Sequence, residues 1–139
     1  MAINFRKALD RHWTDADSLD RAKRLANADH LFGISAECAL KAVMIALGAP
    51  TNSDGDLSNA DHQKHINTLW SNFRIFAQGP HGARYAAKLG SINPFKDWHV
   101  IQRYFGDEHF TAATVQAHRA GAFKAKEVFQ LAIQDGILK

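Results

Sequence analysis

The segment from Leu31 to Leu47, LFGISAECALKAVMIAL, constrains the fold more than any other stretch of the chain. It contains only two charged side chains, Glu37 and Lys41, and its apolar residues fall on every side of a helical projection. A helix of this kind must be covered by neighbours on most of its surface. It is short and carries its two charges centrally, so it is not a membrane span. The sequence therefore predicts a central helix with the other helices packed around it.

Length and composition place residues 1–139 in a single globular domain, with 46% hydrophobic and 22% charged residues. The start, MAINFRKALDRHW, lacks the apolar run of a signal peptide, and we therefore expect a cytoplasmic location. The single cysteine, Cys38, excludes an intrachain disulfide, and its apolar surroundings favour a core residue rather than a nucleophile. The net charge of +3 is compatible with nucleic-acid binding but too small to indicate it.

Helical periodicity extends over most of the chain. We predict a short helix from Asn4 to Trp13, followed by a long helix that Thr14 caps and that ends at Leu47. A polar loop follows at 49–59. The remaining helices are predicted near 60–77, 83–89, 95–105 and 111–135. Gly33 within the long helix indicates that another helix crosses closely there. No segment alternates with period two for long enough to form a strand. The predicted fold is all-α, an up-and-down bundle of four to five main helices with short connecting helices.

Two sets of polar residues are candidates for chemistry. His62 and His65 are spaced to share a metal, but they lack a third ligand, so we predict neither a metal nor a cofactor. Glu37 and Lys41 are an i, i+4 pair within the apolar helix. This pair is either an ion pair at the rim of the central helix or part of an internal cleft or interface, and the sequence leaves both interpretations open.

Three segments resemble the HEPN family of small helical domains. The range Asp15–Gly48 is similar to the opening helices of that family, and Ser35–Val43 matches its Ala-Ala-Glu-x-x-Leu-Lys-Ala-Leu signature. His65 and Leu69 stand where the family has a His and a Leu at the start of its next helix. The range Trp98–Tyr104, WHVIQRY, resembles the Trp-x4-Arg-Tyr segment of one HEPN branch.

The resemblance implies a functional motif. Many HEPN domains are metal-independent endoribonucleases with an Arg-x(4–6)-His motif, act as dimers in toxin–antitoxin or defence systems, and are paired with an antitoxin or a nucleotidyltransferase. Arg103 and His109 fit this motif late in the chain, with five residues between them. A histidine of near-neutral pKa can activate the ribose 2′-hydroxyl, while a guanidinium neutralises charge on the phosphorus. The Arg-x(4–6)-His motif is also matched earlier in the chain, at Arg6 with His12, Arg24 with His30, and Arg74 with His81.

Two features depart from the motif and leave two interpretations open. Tyr104 stands where active members carry a polar residue such as Asn or Asp, and Gly106 interrupts the helix. In the first interpretation, the chain is an endoribonuclease that uses Arg103 and His109 across a homodimer. In the second, it is a non-catalytic helical module that binds RNA, a nucleotide or a protein partner in a cleft, and the binding residues are Glu37, Lys41 and Tyr104 beside Arg103.

An aromatic cluster near the motif bears on association. Phe95, Trp98, Phe105 and Phe110 carry more aromatic surface than one short helix readily buries. Aromatic anchors beside a functional segment are typical of interface cores. We therefore predict a homodimer with this region at or near the contact.

Overall fold

The computed structural model describes residues 2–138, which fold into an all-α bundle with 64% of residues in helices and no strand among them. Five α-helices occur in the order α1 Phe5–Arg21, α2 Leu25–Ala46, α3 Ile66–Phe76, α4 Ala83–Leu89 and α5 Ala112–Gln134. Two short 3-10 turns, Val100–Tyr104 and Asp107–His109, precede α5. The loop after α2 contains one isolated antiparallel bridge, between Thr51 and Leu57. The all-α prediction is confirmed.

Helix α2 is the centre of the bundle, as its sequence predicts. It packs against α1, α3 and α5, and it also contacts both 3-10 turns. Residues 35–41 of α2 are buried without interruption, which is the coverage that an apolar helix with no polar face requires. Cys38 is part of this core, where burial raises the pKa of its thiol to about 12, so it is not a nucleophile.

The first two helices break at a different place from the one predicted. Helix α1 continues through Thr14, and the chain reverses only after Arg21, where Lys23 adopts a left-handed φ of 62°. The N-cap of α1 is Asn4, whose Oδ1 accepts a hydrogen bond from the Lys7 backbone N–H. The cap predicted at Thr14 is wrong because the apolar stripe that includes Leu9 and Ala16 runs on past it, so that α1 can bury this stripe against α2.

Gly33 does admit a close neighbour, but this neighbour is a side chain and not a crossing helix. A β-carbon at Gly33 would overlap the indole ring of Trp98. Gly121 on α5 likewise leaves room for Pro94 and Phe95. The two glycines thus let the chain between α4 and α5 insert two fully buried aromatic rings, those of Phe95 and Trp98, into the bundle.

Other boundaries agree with the sequence to different degrees. Helix α4 has the predicted bounds, and α5 begins after its Thr111 cap and ends before Gly136, which has a φ of 81°. Helix α3 begins at Ile66, later than predicted, after a turn at 59–65. The helix predicted at 95–105 is wrong, since only Val100–Tyr104 forms a 3-10 turn there. None of the helices in the range 2–138 has the length and apolar character needed to cross a membrane.

Candidate functional site

A buried polar network attaches the chain between α4 and α5 to the rest of the bundle. Its centre is Asp29 on α2, which is 1% exposed. One Asp29 carboxylate oxygen lies 2.6 Å from His118 Nδ1, and the other accepts a hydrogen bond of 2.6 Å from Gln102 Nε2. The backbone carbonyl of Asp29 accepts a third bond, of 3.1 Å, from the indole N–H of Trp98. Asp29 therefore joins α2 to α5 and to two points of the connecting chain.

His118 on α5 extends this network to a second carboxylate. Its Nε2 lies 2.9 Å from Asp97 Oδ1, and its ring stacks on Phe95 with 5.2 Å between centroids. Burial lowers the pKa of His118, but the hydrogen bonds and charges of Asp29 and Asp97 outweigh burial and leave the pKa above its ordinary value. Asp97 also loses hydration, but the bond to His118 brings the pKa of its carboxyl below the usual value. We call Asp29, Asp97, Gln102 and His118 the Asp29 network.

The Asp29 network brings together the two segments that carry His30 and Arg103. Because Gln102 is bonded to Asp29, their chain neighbours Arg103 and His30 lie at the same junction of α2 with the Val100–Tyr104 turn. The His30 ring stacks on Trp98 with 5.9 Å between centroids, and its Nδ1 is buried without a hydrogen-bond partner. Burial lowers the pKa of His30, and the positive charge of Arg103 lowers it further.

Two other histidines also affect the pKa of the His30 ring. The pKa of His30 is also lowered by His12 on α1 and by His65, the N-cap residue of α3. Burial lowers the pKa of His12 as well, followed by the charge of Arg11. Two imidazoles and one guanidinium thus act on the His30 ring, from α1, from the residue before α3 and from the Val100–Tyr104 turn. We call His12, His30, His65 and Arg103 the histidine face. Such a surface can bind an anion and transfer protons near neutral pH.

The predicted pair of Glu37 and Lys41 is formed, but it is buried. Lys41 Nζ donates to Glu37 Oε2 over 3.1 Å, and the two side chains are only 8% and 11% exposed respectively. The other Glu37 oxygen lies 3.0 Å from Nδ1 of His65, whose side chain is 49% exposed. Lys41 also lies over the Phe5 ring, 5.6 Å from its centroid. Of these groups, only the His65 ring is open enough to meet a large ligand.

Arg103 and His109 are both exposed, but the fold does not join them. The Arg103 guanidinium lies over the ring of Tyr104, 4.9 Å from its centroid, and Tyr104 is 74% exposed. The His109 ring belongs to the following 3-10 turn and packs edge-on against Phe105 and Phe110. Within residues 2–138, no hydrogen bond or ring contact connects Arg103 with His109.

The aromatic cluster is mostly buried inside the chain itself. Phe95 and Trp98 are fully buried and Phe110 is 7% exposed, so the view that one domain cannot cover these rings is wrong. Phe105 remains 43% exposed, and it lies in a turn region with the exposed side chains of Ile101 and Tyr104. In this turn region, the exposed apolar surface is therefore formed by Ile101, Tyr104 and Phe105.

His62 and His65 lie in different surroundings. His62 is buried against Phe76, with 5.1 Å between ring centroids, whereas His65 pairs with Glu37. In the described part of the chain, no three His, Cys, Asp or Glu side chains are grouped so that they could hold a metal ion.

The chain was compared with protein-family models, with curated proteins and with solved structures, and none of the three comparisons found a match. The resemblance to the HEPN family therefore rests on the sequence segments described above.

Proposed function

We propose that this chain binds single-stranded RNA on the histidine face and cleaves it there without a metal ion, as an endoribonuclease of the HEPN type. The observation that carries the proposal is the environment of Arg103. Its guanidinium is exposed, has no carboxylate partner among the residues that the structure describes, and acts on the neighbouring imidazole of His30. An exposed cation without a carboxylate partner, together with a neutral histidine, suits an anionic substrate that also gives up a proton in the reaction.

The surroundings of Arg103 favour a nucleic acid over a small anion. A guanidinium can form two parallel hydrogen bonds to a phosphodiester, and an exposed aromatic ring can stack on a base. Tyr104 offers such a ring next to Arg103. Sequence-tolerant stacking of this kind contributes about 1–3 kcal/mol per base. The net charge of +3 is in keeping with a polyanionic ligand.

The second candidate is a non-catalytic module that binds RNA at the same surface. It is favoured by the position of His109, which packs between Phe105 and Phe110 and has no contact with Arg103. In this case Arg103 and Tyr104 hold RNA while no histidine acts on it. The two candidates predict the same binding and differ only in cleavage.

The HEPN resemblance also suggests the assembly in which this site would work. We propose a homodimer formed through Ile101 and Phe105, whose exposed side chains lie in the same turn region as Arg103 and leave Tyr104 free for RNA. An antitoxin or a nucleotidyltransferase would be the natural partner of such a dimer in a cell.

The test is RNA cleavage and RNA binding by the parent and by Arg103→Ala. We expect the parent to cut a mixed panel of single-stranded RNAs in the presence of EDTA, leaving 2′,3′-cyclic phosphate ends. Loss of one preorganised charge donor typically lowers such a rate by about 10²–10³-fold, so Arg103→Ala should be nearly inactive.

The matched control is Arg84→Ala, which removes the same charge from α4, where Arg84 pairs with Asp135. This variant should cleave and bind RNA as the parent does. If Arg103→Ala also cleaves normally, Arg103 is not part of the site. If the parent binds RNA in fluorescence anisotropy but never cuts it, the non-catalytic candidate replaces the enzyme.

A further inference from the structure

His30 has a ring nitrogen that the surrounding fold leaves without a hydrogen bond. Its Nδ1 is buried and makes no hydrogen bond, although buried polar atoms in proteins are nearly always paired. No hydrogen bond within residues 2–138 involves its other nitrogen either, and that nitrogen is not among the buried atoms. His30 therefore contributes no hydrogen bond to the fold, and its Nε2 is free to bond to a substrate.

We propose that His30, and not His109, is the histidine that takes the proton from the RNA 2′-hydroxyl beside Arg103. The inference rests on the proposed ribonuclease function and assigns a catalytic residue other than the histidine that the HEPN resemblance implies.

Rigidity distinguishes His30 from His109. The His30 ring lies nearly parallel to the buried indole of Trp98, with 11° between their planes. Its chain neighbour Asp29 is held by the bond from Gln102 to the Asp29 carboxylate and by the bond from Trp98 to the Asp29 backbone carbonyl. His109, by contrast, is exposed in a three-residue turn. Proton transfer requires the base to be held within hydrogen-bond reach of the substrate, and His30 satisfies this requirement better.

The charges around His30 suit a base. Arg103 of the Val100–Tyr104 turn, His12 of α1 and His65 before α3 all disfavour a positive charge on the ring, while Asp29 of α2 favours it. Burial of the ring, which is the largest effect, also disfavours the positive charge. The pKa of His30 therefore lies below its ordinary value of 6.5. The imidazole is therefore neutral at pH 7 and able to accept a proton.

The reaction is an internal transesterification. His30 Nε2 accepts the proton of the 2′-hydroxyl, O2′ forms a bond to phosphorus, and the bond from phosphorus to O5′ breaks with its electron pair on O5′. O5′ takes a proton from water and becomes a hydroxyl, and the imidazolium of His30 returns its proton to the solvent. The phosphate carries a charge of minus one before and after the reaction, because a diester becomes a cyclic diester, but it carries an additional negative charge while both O2′ and O5′ are bonded to phosphorus. Arg103 neutralises the additional charge that develops on the phosphate oxygens during the step.

The test compares His30→Phe with the matched variant His109→Phe. Phenylalanine keeps a ring that can stack on Trp98 and removes both nitrogens, so the fold should be retained, which circular dichroism and thermal melting would check. Loss of a general base typically lowers the rate by about 10²–10⁴-fold, and we expect this loss in His30→Phe but not in His109→Phe. A second variant, His30→Gln, should lose cleavage to a similar extent. In the parent, cleavage should fall with decreasing pH only below 6.5, the ordinary value for histidine.

The result that overturns the inference is cleavage by His30→Phe at the parental rate. If His109→Phe is then inactive, the ribonuclease function stands and its histidine is the one in the sequence motif. A parent that cuts none of the RNAs overturns the proposed function itself, and the role of His30 with it. Cleavage by the parent protein thus distinguishes failure of the proposed ribonuclease function from failure of the assignment of His30.

Discussion

Helices α1, α2 and α5 pack together through apolar side chains, whereas residues 91–110 are attached to them by buried polar groups and two inserted aromatic rings. Leu9, Leu40 and Val128 are typical of the first region, where each side chain is fully buried. In the second region, Gln102 is buried through its bond to Asp29, and only eight residues adopt 3-10 turns. The residues proposed to bind RNA belong to the second region or face it.

This difference has consequences for mutation. An apolar contact depends on area and tolerates small changes of shape, so a substitution that preserves volume typically costs less than about 1.5 kcal/mol. A buried charge that loses its partner is left without compensation and costs several times as much. Residues 91–110 should therefore depend on a few particular hydrogen bonds, while the helices should depend on total burial.

The substitution expected to destabilise the attachment of residues 91–110 most is the removal of His118. In His118→Leu the Asp29 carboxylate keeps its bond to Gln102 but loses the imidazole 2.6 Å away. Removing one partner of a buried pair typically costs about 3–5 kcal/mol, and we expect that loss in the free energy of unfolding. Urea denaturation measures it. Hydrogen exchange should also become faster for the amides of residues 97–105 than for those of α2.

The matched control is His109→Leu, the same change at an exposed histidine. Its free energy of unfolding should stay within about 0.5 kcal/mol of the parental value. Equal stability of His118→Leu and the parent would mean that the Asp29 network does not hold residues 91–110 in place.

The sequence predicted the first region better than the second. The bounds of α4 and α5 followed from helical periodicity, from the Thr111 cap and from Gly136. The reversal at Lys23 was missed because a lysine rarely adopts a left-handed conformation, and nothing local indicates it. Residues 95–105 have helical spacing, but Phe95 and Trp98 are buried by insertion beside two glycines and not by a helical stripe.

The candidate site was predicted only in part. Arg103 and Tyr104 were found from the family motif, whereas the network that positions them joins residues 89 positions apart in the chain, Asp29 and His118. Such a pairing is set by tertiary packing, which periodicity does not report. A signal was nevertheless present, since both residues lie at helical spacing within buried stripes, Asp29 with Phe32 and His118 with other residues of α5. A charged residue on such a stripe requires a partner.

The next prediction concerns association through the exposed part of the second region. If Phe105 is an anchor of a homodimer, light scattering of the parent should give twice the chain mass of 15.4 kDa at high micromolar concentration. Truncating an aromatic anchor typically costs about 2 kcal/mol or more of association free energy, so Phe105→Ser should dissociate the dimer.

The control for this prediction is Ile75→Ser on α3, where the parental side chain is 63% exposed and lies outside residues 91–110. This variant should remain dimeric. A parent that scatters as a monomer of 15.4 kDa at the same concentration would contradict the homodimer and leave the exposed surface near Arg103 without that role.

The smallest expected effect is a pH dependence between pH 6.5 and 8 that comes from His118, the α5 residue to which the second region is attached. The folded state raises the pKa of His118 above its ordinary value of 6.5, so it binds this proton more tightly than the unfolded chain does. The resulting stabilisation is fully present below pH 6.5 and is lost as the pH rises through the pKa of the folded state. The slope for one group cannot exceed about 1.4 kcal/mol per pH unit.

The other histidines and the aspartate of this region whose pKa values are shifted act outside this window or with the opposite sign. The pKa values of His12 and His30 are lowered, so their effect is a loss of stability as the pH falls below 6.5. Asp97, whose pKa is lowered from 3.8, loses its contribution only in acid. Urea denaturation at several pH values between 6.5 and 8 should therefore show stability falling in the parent and a flatter profile in His118→Gln. Parallel profiles for the two proteins would mean that His118 carries no extra proton in the fold.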